Sequence, residues 1–206
     1  MLLPYDEKTR ELAARTIAAG GVLAFRTDTF YGLGADPFNP LALRKIYALK
    51  GREDGKPLLV IISDAAITER LMAAQSKLFE AVAARHWPGP ITLVGQARQE
   101  IPEELTAGTG TIGVRLPDDE PVREFVRAMG GALTATSANP SGTSPARTAL
   151  EVEDYFPNGL DLIIDTGPAP GGLPSTVLDA SGPTARLIRE GAVSREELGE
   201  TLERQV

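Results

Sequence analysis

The chain of 206 residues contains no cysteine and a single histidine, His86. The first absence excludes a disulfide framework, thiolate catalysis, thiolate zinc sites and iron–sulfur ligation by this chain. The second excludes two-histidine metal sites and leaves any Ser-His-Asp triad one residue to draw on. No apolar run reaches the roughly 18 residues of a transmembrane helix. The N-terminal MLLPYDEKTR is charged too early for a signal peptide. A cytoplasmic protein without membrane contact is therefore expected. Basic residues are outnumbered, with 21 Lys and Arg against 28 Asp and Glu and a net charge of −7. That balance argues against a general nucleic-acid binder, but it leaves room for a basic pocket inside an acidic shell.

What is present is an ordinary globular composition, 42% hydrophobic and 24% charged. The length suits one domain covering residues 1–206. Pro (16) and Gly (21) are frequent, which points to many tight connections. Helical spacing is read at 6–19, 40–50, 76–85, 121–129, 148–155 and 194–202. The last helix opens with the capping box Ser194-x-x-Glu197. Strands are read at 22–26, 58–62, 91–94, 112–116, 133–136, 160–165, 175–179 and 186–189. This alternation predicts an α/β fold, a twisted open sheet at least partly parallel, with antiparallel pairing in the strand-only run late in the chain.

Several textual matches fail on context. Gly108-x-Gly110-x-x-Gly113 runs into a strand, whereas a dinucleotide fingerprint opens a helix. In Gly51 to Lys56, Pro57 follows where a P-loop needs Ser or Thr. His86 reads as a helix-end histidine packed locally rather than a catalytic one. Four polar clusters survive. Thr27 to Gly34 follows a strand and reads as a ligand floor or a glycine turn with capping hydroxyls. Lys50, Arg52 and Lys56 gather at a helix end, as a phosphate clamp or a solvated cap. Thr134 to Gly142 leaves a strand with small and hydroxylated residues, as a ligand-approach loop or an Asx turn. Pro174 to Asp179 is followed by Arg189. Arg115 lies inside a mostly apolar strand and needs an anionic partner if buried.

TDTFYGLGAD, IYALKGREDGKPL, WPGPITLV, TIGVRLP, TATSANPSG, PSTVLD and LIREGAV, in that order, resemble the YrdC/TsaC family of threonylcarbamoyl-AMP synthases. The resemblance runs from about residue 10 to residue 193. It implies a YrdC-like fold with a deep basic cavity and condensation of L-threonine, bicarbonate or CO2 and ATP into threonylcarbamoyl-AMP and diphosphate. It also implies partner proteins that carry the group onward to tRNA for the t6A modification. Lys50 and Arg52 would be catalytic and, with Lys56, face the ATP phosphates. Thr111, Asn139, Arg147 and Arg189 would lie against ATP. Thr27, Arg115, Ser137 and Ser175 would hold L-threonine, with Arg115 on its carboxylate. One departure is Arg26, which stands where the family usually has proline. The chain resembles the short, single-domain branch.

No general base is evident, which fits catalysis by positioning and charge stabilisation. Mg2+ is expected with ATP, held by phosphates and water, and the loop at 51–56 is expected to act as a lid. The competing reading is a double-stranded RNA or tRNA-binding module without synthase activity.

Overall fold

The longer helices among the described residues begin where a side chain satisfies free backbone N–H groups. Asp6 caps α1 (Glu7–Ala18) by accepting from the Thr9 N–H, and Asn39 caps α2 (Pro40–Lys50), with Pro40 in the first turn. The structure, a computed structural model, describes residues 1–51 and 56–203. Among these, β1 is Leu2–Pro4, β2 is Leu23–Arg26, β3 is Tyr31–Gly34 and β4 is Leu59–Ile62. A 3-10 turn at Ala65–Ile67 leads into α3 (Thr68–Leu71) and β5 (Met72–Ala74), then α4 (Lys77–His86) and β6 (Ile91–Ala97). They are followed by α5 (Glu103–Thr106), β7 (Thr111–Arg115), α6 (Glu120–Ala128), β8 (Ala132–Thr134) and β9 (Thr136–Ser137). The chain continues through α7 (Ala149–Tyr155), β10 (Leu162–Asp165), β11 (Thr176–Asp179), β12 (Arg186–Arg189) and α8 (Arg195–Glu203).

The strands form two mixed sheets rather than the single open sheet expected. One has the order β1-β10-β2-β3-β9, and the other β12-β11-β6-β7-β4-β8, with β5 on the edge of β6. β10 runs parallel to β1 and β2, and β7 runs parallel to β4. The late pair β11–β12 is antiparallel, as its strand-only spacing implied. The chain crosses between sheets at Ala135. The residues around it are small, and Thr134 ties the crossing down: its Oγ1 accepts from the Ala35 N–H and donates to the Leu33 carbonyl.

Alternation along the strands divides the core. Leu23 and Phe25 face one cluster with Ala13 and Ile17 of α1 and Phe125 and Val126 of α6. Ala24, between them, joins the larger cluster with Leu33, Ile46 and Leu93. Phe25 and Phe125 stack with ring centroids 5.3 Å apart. Each fully buried aliphatic side chain of this kind contributes about 1.5–3 kcal/mol. No helix among the described residues is long and apolar enough to cross a membrane.

His86 ends α4, but its packing is tertiary rather than local. Its Nε2 lies 2.8 Å from Thr201 Oγ1, and its Nδ1 lies 3.6 Å from Glu197 Oε1, both on α8. Ser194 accepts the Glu197 N–H as the capping box requires, while the Glu197 carboxylate turns to the histidine instead of back to the cap. Burial pushes the His86 pKa below its ordinary 6.5, against the pull of Glu197. A depressed folded value means the stabilisation is present above pH 6.5 and is lost as pH falls through the folded pKa. Thermal melts between about pH 7.5 and 5.5 should show the wild type losing stability more steeply than His86→Gln. Parallel curves would contradict this account of the helix pair.

Candidate active site

The two sheets enclose a cleft of about 1400 Å3. One sheet supplies Gly32 and Ser137; the other supplies Leu59, Thr92, Gly113, Arg115, Val177 and Arg189. Thr27, Lys50, Lys56, Thr111, Asn139 and Ser175 also line it. Nine of the eleven residues singled out from the sequence therefore converge on one recess. Among the described residues the cationic lining side chains are Lys50, Lys56, Arg115, Arg186 and Arg189, against one carboxylate, Asp179. Arg52 and most of the expected 51–56 lid lie outside the described residues. Arg147 is not among the lining residues. It is exposed, and its guanidinium lies against Gly171 and donates to the Pro170 carbonyl at 3.4 Å.

Lys50 is the last residue of α2, and Gly51 follows it in the left-handed conformation with φ 56°. Although charged, Lys50 is buried. Its Nζ donates to the Ser137 carbonyl at 2.6 Å and the Asn139 carbonyl at 2.8 Å, while the Ser141 N–H returns to the Lys50 carbonyl. The cation thus staples the helix end to the loop after β9 while still bordering the cleft.

Asn139 is also buried. Its Nδ2 donates to the carbonyls of Pro140 (2.9 Å) and Thr143 (2.8 Å), which fixes the orientation of the amide. Its Oδ1 has no hydrogen-bond partner among the described residues. That oxygen is fully occluded, so it is a buried acceptor without a partner in a residue of the cleft wall.

The Thr27 hydroxyl is engaged locally. It donates to the Phe30 carbonyl at 2.7 Å and accepts from the N–H groups of Thr29 and Phe30. This is an ST turn that shapes the loop floor. Thr111 Oγ1 pairs with Thr109 Oγ1 at 2.9 Å. Ser175 Oγ lies 3.0 Å from Thr92 Oγ1, and Arg189 clamps the Ser175 carbonyl with Nε (3.2 Å) and Nη2 (2.8 Å). Gly191 passes so close behind this wall that a Cβ would stand 2.2 Å from the Pro174 carbonyl oxygen. That neighbour is backbone and cannot swing aside. Gly191→Ala is therefore expected to cost about 1–3 kcal/mol in denaturant unfolding and to displace Ser175. An unchanged midpoint would mean the wall is softer than its geometry implies.

Sequence reading left Arg115 waiting for an external anion, but the fold supplies one. Arg115 Nη2 sits 2.9 Å from Asp28 Oδ1, and the two side chains are only 9% and 12% exposed. Burial pushes the Asp28 carboxyl up, opposed by the arginine, and pushes the Arg115 guanidinium down. Arg189 is lowered by burial and then by the like charge of Arg115. Arg26, the departure from the family pattern, does not line the cleft; it pairs with Asp119 at 2.9 Å. Asp28, Thr92, Asp179 and Arg186 were missed as individual site residues. Only the register of β6, β11 and β12 brings the last three to the recess, whereas an acid beside Thr27 was open to inspection.

Two mixed sheets with flanking helices around one shared cleft define an α/β protein. Known proteins of this form share the sequence as well. The profile of the Sua5/YciO/YrdC family, described as "Telomere recombination", matches residues 15–191. A protein of Idiomarina loihiensis named threonylcarbamoyl-AMP synthase is 37% identical over 171 residues, 81% of this chain and 91% of the relative. One from Thiobacillus denitrificans, of the same name, is 38% identical over 82% of this chain and 89% of its own length. The crystal structure of P. abyssi Sua5 complexed with L-threonine superposes with a TM-score of 0.92 at 32% identity. It covers 98% of this chain, which spans 61% of that longer structure. The chain belongs to the Sua5/YciO/YrdC family.

Proposed function

We propose that this protein is a nucleotidyltransferase that forms threonylcarbamoyl-AMP and diphosphate from L-threonine, bicarbonate or CO2 and ATP. The observation that carries the reading is the convergence of nine separately chosen residues on one cleft, in a chain whose relatives bear the synthase name. The threonine nitrogen attacks the carbon of CO2 and forms the N–C bond. When bicarbonate is the source, hydroxide takes one ammonium proton away as water and the second proton leaves to solvent. The carbamate oxygen then attacks the α-phosphorus, and the bond to the β-phosphate oxygen breaks with its electron pair on diphosphate. Lys50, Lys56 and Arg189, which line the cleft, would offset that charge. Arg52 belongs with them by resemblance alone.

In this reading Asn139, a residue of the cleft wall, serves the nucleotide, and Arg115 takes the amino-acid carboxylate. Thr27, Ser137 and Ser175 wall the threonine end, while Thr111 and, after a movement of its side chain, Arg147 serve the nucleotide. Mg2+ would travel with the ATP phosphates. Among the described residues no group of three or more His, Asp or Glu is arranged to hold a metal. Transfer to tRNA would fall to partner proteins in the cytoplasm. Incubating the protein with Mg-ATP should give AMP-linked product only when L-threonine is present, and only traces of it without added bicarbonate. Diphosphate release independent of threonine would contradict the proposal.

A further inference from the structure

We propose that Asp28 is a positioning residue for the amino-acid substrate: its carboxylate holds one edge of the Arg115 guanidinium so that the other donors face the cleft. The inference rests on the synthase reading and deepens it. A guanidinium carries five N–H donors, yet that of Arg115 donates no hydrogen bond to any described residue, and its one close ion-pair contact among them is Asp28 Oδ1 at 2.9 Å. That contact is an ion pair off the hydrogen-bond axis, because Oδ1 counts among the fully occluded acceptors without a hydrogen-bond partner. The Arg115 nitrogens are absent from that occluded set and the residue lines the cleft, so its donors open there.

A pair buried this deeply does little for stability, since desolvating both ions roughly offsets their attraction. Its effect is on orientation and charge. Arg189 stands close enough for Arg115 to disfavour its protonated form. Without Asp28 the like charges of Arg115 and Arg189 would stand on the cleft wall unbalanced; with it, the trio carries a single net positive charge, matched to one carboxylate. Asp28 is itself held in an alternating charge cluster. The charges of Asp119 and Arg26 both act on it, and they are locked in their own 2.9 Å pair. Asp119 Oδ1 also caps α6 by accepting from the Val122 N–H. Arg26 thus pairs directly with Asp119 and adds only a Coulombic pull on the Asp28 carboxylate.

The test is a double-mutant cycle on L-threonine binding, measured by calorimetry, with KM for ATP as control. Asp28→Asn, which keeps the volume and removes the charge, should weaken threonine at least about tenfold and change the ATP KM by less than about twofold. Added to Arg115→Gln it should weaken threonine no further, because the acid acts only through the arginine. Asp28→Glu should recover part of the loss and serves as the working variant if Asp28→Asn fails to fold. Equal loss of threonine and ATP, or effects that add across the cycle, would overturn the role. If wild-type protein binds threonine normally and Asp28→Asn does too, this inference alone falls. If the wild type binds no threonine, the synthase reading falls and takes the inference with it.

Discussion

Replacing Lys50 by alanine is expected to lower adenylate formation roughly 10^2–10^3-fold, the usual cost of removing one charge-stabilising donor from a reacting phosphate. The variant is also expected to lose stability, which the sequence alone did not indicate. Lys50 Nζ binds the carbonyls of Ser137 and Asn139 from a buried position. Truncation strands both oxygens, and an unsatisfied buried polar group costs about 1–3 kcal/mol. A thermal shift and a product assay on the same preparation measure both effects. The variant should be folded at low temperature, melt earlier than wild type and release almost no diphosphate. A normal rate would remove Lys50 from the site, and a normal melting temperature would remove its role as the staple of the 137–141 loop.

Arg115→Ala is expected to weaken L-threonine by at least about a hundredfold and ATP by only a few-fold, since a charge-assisted bidentate pair to a carboxylate is the strongest single contact the cleft offers. The variant also leaves Asp28 buried and unpaired, a penalty of roughly 3–5 kcal/mol, so Arg115→Lys is the companion. Lysine keeps the charge opposite Asp28 but loses the planar fork. It should fold like wild type and still bind threonine poorly in calorimetry. If Arg115→Lys bound threonine normally while ATP suffered, the carboxylate assignment would belong to another cation.

Much of this was open to inspection in the chain, because the decisive signals are local. Gly51 after Lys50, Pro40 after Asn39 and the apolar run at 58–62 each mark an element end or a buried strand by short-range chemistry. The motif loops follow strands, so their residues meet at one place once the strands pair. What was hidden depends on partners far along the chain. Tyr31–Gly34 reads as a ligand loop because of its glycines, yet it pairs with β2 and β9. The break into two sheets turns on Ala135, which carries no pattern of its own. The counter-ion of Arg115 lies 87 positions earlier, and Asp28 looked like one more turn residue among hydroxyls. Arg147 reads as cleft-facing by motif and is drawn instead to the strap at 170–171.

The most direct measurement is mass spectrometry of the products formed by the pure protein from L-threonine, bicarbonate and Mg-ATP, with each component left out in turn. The account expects threonylcarbamoyl-AMP and diphosphate in the complete mixture, neither when threonine or ATP is missing, and only traces without added bicarbonate. Complete mixtures that yield no adenylate, from protein that is folded and binds ATP, would contradict it.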